Sequence, residues 1–517
     1  MRPRDKNVQN HFIVNIQNAI MNTLRMSRRK LFQTIAGLGF VSATGQVTGQ
    51  SASEIEQWRQ FNLNSANTGY EPNKIGPVSN ISKSWSANFD EGFVRTSSPA
   101  VVNNSVYIGS TNGNLYAFDS QEGVEQWRFE TGDEVNTSPA IVDQTIYFGS
   151  SDGKVYALNT EDGSEEWVFQ AGDEVTSSPT VRYGTVFVGS HDGYIYALDK
   201  DSGQMQWQFD CSSLVVISPA VVNNTVYVGD YNSYMRALDA ESGEQQWEFQ
   251  SGPTDSSAAI RSSPAVYDGS VVFGNYNRIY SLDAEDGSQR WTFEPPDGVD
   301  ESSPAVANGT VYIGSAGPNA HLYALSADDG AKIWQFRTGA AVDSSPAVVG
   351  DTVYVGTRST YDRAILAVDA QTGSKEWSYS PNTLQSASSP AIVGDTVYIG
   401  ATLGDSGDNL LALTGQMSTP TQSPTPTQSP SGGNNNSEMT ERTQTETPTA
   451  TPDQAPLSQQ NGTATPEQDA SDAPFGLSVF TQFGDSETTV GLGGVAALLS
   501  IGGGYAAYRR FQSDDEE

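Results

Sequence analysis

Ala237-Leu-Asp-Ala-Glu-Ser-Gly-Glu-Gln-Gln-Trp247 returns, with small changes, almost to the end of the 517-residue chain. Tyr156-Ala-Leu-Asn-Thr-Glu-Asp-Gly-Ser-Glu-Glu-Trp167 and Tyr196-Ala-Leu-Asp-Lys-Asp-Ser-Gly-Gln-Met-Gln-Trp207 are two of its copies. Each closes a longer unit: Ser-Pro-Ala-Val-Val, turn, Thr-Val-Tyr-Val-Gly, turn, Tyr-Ala-Leu-Asp, turn, Trp-x-Phe. The unit's proline recurs as Pro99, Pro139, Pro179, Pro219, Pro264, Pro304, Pro346 and Pro390. Its tryptophan recurs as Trp85, Trp127, Trp167, Trp207, Trp247, Trp291, Trp334 and Trp377, so both marks come eight times at spacings of 40 to 45 residues. Four short β-branched or aromatic runs in such a period predict one four-stranded blade per repeat. The expected fold is therefore all-β, an eight-bladed β-propeller.

The two ends of the array complete each other. Lys83-Ser-Trp85-Ser-Ala-Asn-Phe89 is a fourth strand without a blade, and the last repeat, Ser389 to Gly415, stops before any tryptophan. Pairing them closes the ring and leaves no open edge between first and last blades. Within a blade, Asn223-Asn224, Gly350-Asp351 and Gly394-Asp395 read as two-residue hairpins between the first two strands. Asp152-Gly153 and Asp192-Gly193 join the second and third. Asp-x-x-x-Gly joins the third and fourth, its carboxylate capping backbone amides. The tryptophans are expected to pack on the neighbouring repeat.

Outside the repeats the composition changes. Residues 1–52 form a leader, in which Arg28-Arg29 precede the short apolar run Ile35 to Val41 and resemble a twin-arginine export signal. Residues 53–81 are a lead-in, and 82–415 the propeller. Residues 416–487, rich in Ser, Thr and Pro, are too poor in apolar side chains to offset chain entropy and predict a disordered stalk. Residues 488–508 carry no charge and are long enough as a helix to span a bilayer; Arg509-Arg510 then place the tail 509–517 inside. The expected picture is an exported, monomeric propeller at the cell surface, tethered outside the cytoplasmic membrane.

The charge narrows the partners. The formal net charge is −34, and the leader holds seven Lys/Arg against one Asp, so the remainder carries −40. Such a surface repels nucleic acid. With only eight Lys, it is also the composition of a protein soluble in high salt, which implies a halophilic source. Cys211 is the single cysteine, which excludes an intramolecular disulfide and cysteine-rich metal clusters.

The motif Ala-x-Asp-x-x-Ser/Thr-Gly-x-x-x-Trp, met in full from Ala237 to Trp247, resembles the pyrroloquinoline-quinone (PQQ) repeat superfamily of eight-bladed propellers. Ala117 to Trp127 departs from it at Glu122, and Ala324 to Trp334 at Ser326. The resemblance covers roughly residues 58–415. It implies two kinds of function: quinoprotein dehydrogenases, and non-enzymatic scaffolds such as BamB-like assembly proteins. The dehydrogenases carry a disulfide of adjacent cysteines over the quinone and long insertions. This chain has a lone Cys211 and compact repeats, so the resemblance favours the second branch and implies no cofactor.

Other motifs fail on context. Gly149-Ser-Ser-Asp-Gly153 imitates a nucleophile elbow around Ser151, but lies in a hairpin where that motif needs strand–turn–helix. His191 and His321 are the two histidines of the propeller and stand in distant repeats, so no metal site is expected. No residue is assigned a catalytic role. Asn-x-Ser/Thr sequons begin at Asn80, Asn103, Asn136, Asn223, Asn308, Asn435 and Asn461.

Irregular repeat lengths place insertions at Pro253 to Arg261, Ala316 to His321, Arg358 to Arg363 and Leu403 to Asp408. These connect the fourth strand to the next first strand, or the second to the third, and emerge on one face. Tyr231, Tyr234, Arg236, Arg261, Tyr276, Arg278, Arg358, Tyr361 and Arg363 collect there. They form a candidate surface for a cell-envelope protein or glycan, with Arg pairing carboxylates and Tyr stacking. Variable loops holding surface ion pairs are the bland alternative. A non-enzymatic binding or scaffold module is the expectation; a secreted PQQ- or metal-dependent oxidoreductase is its rival.

Overall fold

A computed structural model describes residues 57–417, except 73, 90–91, 95, 255–257, 318, 359–364, 381–383 and 404–407. The leader with its signal, the stalk beyond Met417, the anchor 488–508 and the tail lie outside the described residues, as do Tyr361 and Arg363.

Eight antiparallel sheets are present among the described residues, one per repeat. Blade 4 shows the pattern: A, Ala220–Val222; B, Thr225–Gly229; C, Tyr234–Asp239; D, Gln245–Gln250. Blades 1, 2 and 3 begin at Ala100, Ala140 and Thr180, and blades 5 to 8 at Ala265, Ala305, Ala347 and Ala391. Strands B and C are almost wholly buried, because both faces of each sheet are covered by neighbouring blades. Strand D alternates, with Trp247 buried and Gln246 and Glu248 exposed, so the outer edges carry polar side chains that discourage edge-to-edge pairing.

The hairpins follow from backbone chirality. Asn223 and Asn224 have φ of 51° and 63°, the left-handed pair that a two-residue hairpin needs and that Asn tolerates. In the C–D turn, the Asp239 carboxylate accepts from the amides of Glu241 (3.0 Å) and Ser242 (2.9 Å). The glycine of this turn meets a steric demand as well: a Cβ on Gly243 would lie 2.8 Å from the Trp207 ring of the preceding blade.

That contact is half of a joint repeated around the ring. The Trp207 indole donates to the carbonyl of Ala240 at 3.0 Å, and Trp167 does the same to Lys200 at 2.9 Å. Tyr147 of strand B sends its hydroxyl to the same Lys200 carbonyl at 3.1 Å. A second joint comes from Ser-Ser-Pro. The first Ser or Thr receives the strand B glycine amide of its own blade, as Gly149 N to Thr137 Oγ1 (3.0 Å). The second receives the amide of the preceding blade, as Ser138 N to Ser178 Oγ and Ser263 N to Ser303 Oγ, both 2.9 Å.

Closure occurs as the sequence predicts, with a longer strand. Pro77–Asn88 pairs antiparallel with Asp408–Met417 and supplies the D strand of blade 8, starting before the boundary at residue 82. The lead-in is not external. Residues 57–71 run along the inner A strands inside the channel. Arg59 O accepts from Ile141 N, Ser65 O from Val221 N, Ala66 O from Val266 N, Thr68 O from Val306 N and Gly69 O from Val348 N, all within 2.6–2.9 Å. Tyr70–Glu71 adds a parallel strand to blade 7.

Candidate functional site

The D–A loops and B–C loops share one face: Gly132 N donates to Asp152 Oδ2 (3.0 Å) and Ser151 N to Glu134 O (2.8 Å). The A–B and C–D turns share the other, where Ala240 N donates to Asn224 O (2.9 Å). The described members of the arginine and tyrosine set lie on the first face, on blades 4 to 7, and divide into separate groups.

Arg236 is not part of an exposed surface. Its side chain is 9% accessible, and Nη1 lies 2.5 Å from Oδ2 of Asp230, which is fully buried. Nε faces Glu248 at 3.5 Å, and the guanidinium lies 4.8 Å from the Tyr234 ring centroid. In blades 2 and 3 the same place is filled by Tyr156 and Tyr196, whose hydroxyls donate to Asp152 (2.5 Å) and Asp192 (2.6 Å). Arg236 thus braces a B–C loop, as those tyrosines do. Burial raises the Asp230 carboxyl against the opposing pull of Arg236. Nearby Cys211 is buried, which pushes its thiol up to about 12 and leaves it without thiolate character.

Nearer the axis, Arg261 donates to Asp300 at 3.2 Å and lies 5.3 Å from the Tyr231 ring centroid. Arg358 pairs with Asp343, a buried carboxylate that burial pushes up to about 7, with Glu301 and Asp300 adding to the rise and Arg358 opposing it. Tyr231, Arg261, Asp300, Glu301, Asp343 and Arg358 are therefore one electrostatic cluster spanning the D–A loops of blades 5 to 7. Farther out on blade 5, Tyr276 is half exposed and Arg278 meets Glu294 at 3.4 Å with both side chains in solvent.

Every arginine described in the set therefore already faces a carboxylate of its own chain. The sequence reading gave ion pairs as the alternative for these loops without identifying the carboxylates. One signal was present: blade 4 has Asp230 where Ser150 and Ser190 stand, together with Arg236 for Tyr, a paired exchange that marks an internal bond. Ser151 sits in the B–C turn of blade 2, with its amide bonded to Glu134 O. His191 contacts Thr176 Oγ1 at 2.8 Å in blade 3, and His321 opens strand C of blade 6.

The axial channel is where a quinone held by a metal would be tested. Among the described residues no group of three or more His, Cys, Asp or Glu is arranged to hold a metal ion. The backbone of residues 57–71 is bonded along the inner strands of blades 1, 2, 4, 5, 6 and 7. The described residues do not fit such a group.

A family model described as outer membrane protein assembly factor BamB matches residues 43–181, 167–294 and 276–449. No curated protein matches the chain. Among solved structures, the quinohemoprotein alcohol dehydrogenase of Comamonas testosteroni superposes with a TM-score of 0.61 at 16% identity, covering 71% of this chain and 82% of that one. BamB from Moraxella catarrhalis gives 0.53 at 17% identity, over 65% and 98%. The computationally designed Ika8 protein gives 0.56 at 17%, over 64% and 99%. At these identities the likeness is one of fold.

Proposed function

The chain belongs to the PQQ-type propeller family described as outer membrane protein assembly factor BamB, and from that membership we propose a non-enzymatic module that binds another protein of the cell envelope. The observation that carries this reading is the segment bonded along the inner strands of the ring. Residues 57–71 occupy the inner strand backbones, so recognition falls to the loops around the channel. Enzyme and non-enzyme structures share this fold, so fold alone decides nothing.

The binding surface is the D–A/B–C face over blades 4 to 7. Tyr276, Arg278 and Arg358 are its exposed side chains, and the Arg261–Asp300 and Arg358–Asp343 pairs hold its loops. Because each described arginine offsets a carboxylate beside it, this patch carries a weaker negative field than the rest of the chain. The twin-arginine leader and the apolar segment 488–508 complete the proposal, placing the propeller outside the cytoplasmic membrane on a tether.

A photoreactive phenylalanine at Tyr276 tests the surface, with one at Asp268 on the opposite face of the same blade as control. Adducts to a discrete protein from position 276 alone, reduced by Arg278→Glu, are expected. Equal yields from both faces, or none from 276, contradict the assignment.

A further inference from the structure

Five Asn-x-Ser/Thr sequons lie among the described residues, and the fold treats them differently. A transferase must reach both the asparagine amide and the hydroxyl two residues on. Asn136 is 9% exposed, with its amide bonded to Glu134 and Ser138 buried beside it. Asn103 and Asn223 are exposed on A–B hairpins, but their partners Ser105 and Thr225 are each 8% accessible. Those hydroxyls are held by the D strand, bonded to Gln126 (2.8 Å) and Gln246 (3.3 Å). Asn80 and its partner Ser82 are both exposed, and there it is the acceptor amide that is held, bonded to Gln416 at 2.8 Å.

Asn308-Gly-Thr310 departs from the other two A–B hairpin sequons. In blades 1 to 5 and 7 the residue before the D-strand tryptophan is polar and bonds the first hydroxyl of strand B: Gln126, Glu166, Gln206, Gln246, Arg290 and Glu376 do so. In blade 6 that residue is Ile333, which accepts no hydrogen bond and is 52% exposed. Asn308 is exposed and Thr310 half-buried, and both line one cavity of about 190 Å³ between blades 6 and 7. Ile333, Asp351 and Gln371 line it too, offering an apolar patch and polar groups beside the acceptor amide.

We propose that Asn308 is a site of N-glycosylation, with the first sugar of the glycan seated in the cleft between blades 6 and 7. The donor class is an oligosaccharide carried on a lipid phosphate. Asn308 Nδ2 forms a bond to the anomeric carbon, the bond from that carbon to the phosphate oxygen breaks, the lipid phosphate leaves with the electron pair, and the amide gives up one proton. The site rests on the export proposed above. It puts the glycan on the A–B/C–D face and leaves the opposite, partner-binding face bare.

The test is transfer to the purified, folded full chain by an oligosaccharyltransferase that reads Asn-x-Ser/Thr, with a lipid-linked oligosaccharide donor. Occupancy of each sequon is read by peptide mass spectrometry, with urea-unfolded chain in parallel. Folded protein should be modified at Asn308 several-fold more than at Asn103 or Asn223 and not at Asn136. Unfolding should erase the preference, and Ile333→Gln should lower Asn308 occupancy in the folded chain alone. Equal occupancy in the folded chain, or an unmodified Asn308 beside a modified unfolded control, overturns the proposal. Protein isolated from its own cells separates two failures. A bare Asn308 on a chain whose leader has been removed overturns this site. A bare Asn308 on a chain that keeps its leader overturns the export on which it rests.

Discussion

The indole Nε1 of Trp377 donates to the carbonyl of Pro77 at 2.8 Å, across 300 residues of sequence. The Tyr354 hydroxyl reaches the same carbonyl at 3.2 Å. Pro77 stands where Ala370 receives Trp334 and Ala284 receives Trp247, so the ring closes with the tryptophan bond used between its other blades. Closure by the pairing of Pro77–Asn88 with Asp408–Met417 is thus reinforced by Trp377 and Tyr354 of blade 7, which bond the start of the same strand.

Trp377→Phe keeps most of the buried area but loses the hydrogen bond, and should cost about 1 kcal/mol. Trp377→Ala adds a cavity and should cost about 3–5 kcal/mol. Denaturant midpoints check both. The alanine variant should also expose the Pro77–Asn88 strand to proteolysis before the rest of the ring.

Blade 3 lacks half of the joint. Phe187 stands where Tyr147 and Tyr227 bond the next blade, and its ring sits 5.8 Å from Trp207, as Tyr147 does from Trp167. Phe187→Tyr should place a hydroxyl at the Ala240 carbonyl and stabilise the domain by about 0.5–1.5 kcal/mol. A melting temperature unchanged or lowered contradicts the equivalence.

Arg236→Ala strands Asp230 in the interior and should destabilise by about 3–5 kcal/mol. Arg236→Tyr restores the arrangement of blades 2 and 3 and should cost less. Neither should weaken partner capture at Tyr276, because Arg236 is a brace and not a contact; a selective loss of capture with unchanged melting would show otherwise.

Asp343 gives a pH signature. Its carboxyl is raised from 3.8 to about 7, so the folded state holds a proton that the unfolded chain has released. The unfolded state binds fewer protons in that window, so this group's contribution to stability falls as pH rises from about 4 to 7, by on the order of 4 kcal/mol at most. Asp343→Asn should remove that part of the slope, leaving the variant more stable relative to wild type at pH 8 than at pH 4. Parallel melting profiles across this range contradict it.

The blade count, the hairpins, the ring closure and the tryptophan packing were legible because each imposes a residue type at a fixed spacing: a ring at Trp247, a left-handed pair at Asn223 and Asn224. The channel segment was not. Residues 57–71 join the inner strands through carbonyls, with Ser65, Ala66 and Gly69 among the acceptors, and a backbone bond leaves no mark on side-chain identity. The serine ladder was visible only as the repeated Ser-Ser-Pro, whose first residue serves its own blade and whose second serves the preceding one. The loop arginines left two readings open for a different reason. Residue type shows a charge but not its partner, and Asp230, Asp300 and Asp343 are separated from Arg236, Arg261 and Arg358 by up to 39 residues.

The most direct measurement is a titration of the purified full chain in high salt with PQQ and calcium, following absorbance and melting together. A partner-binding propeller with residues 57–71 bonded along its inner strands should show no saturable spectral change and no shift in melting. A saturable shift accompanied by dye-linked oxidation of an alcohol or sugar would contradict the account and make the D–A/B–C face the mouth of an active site.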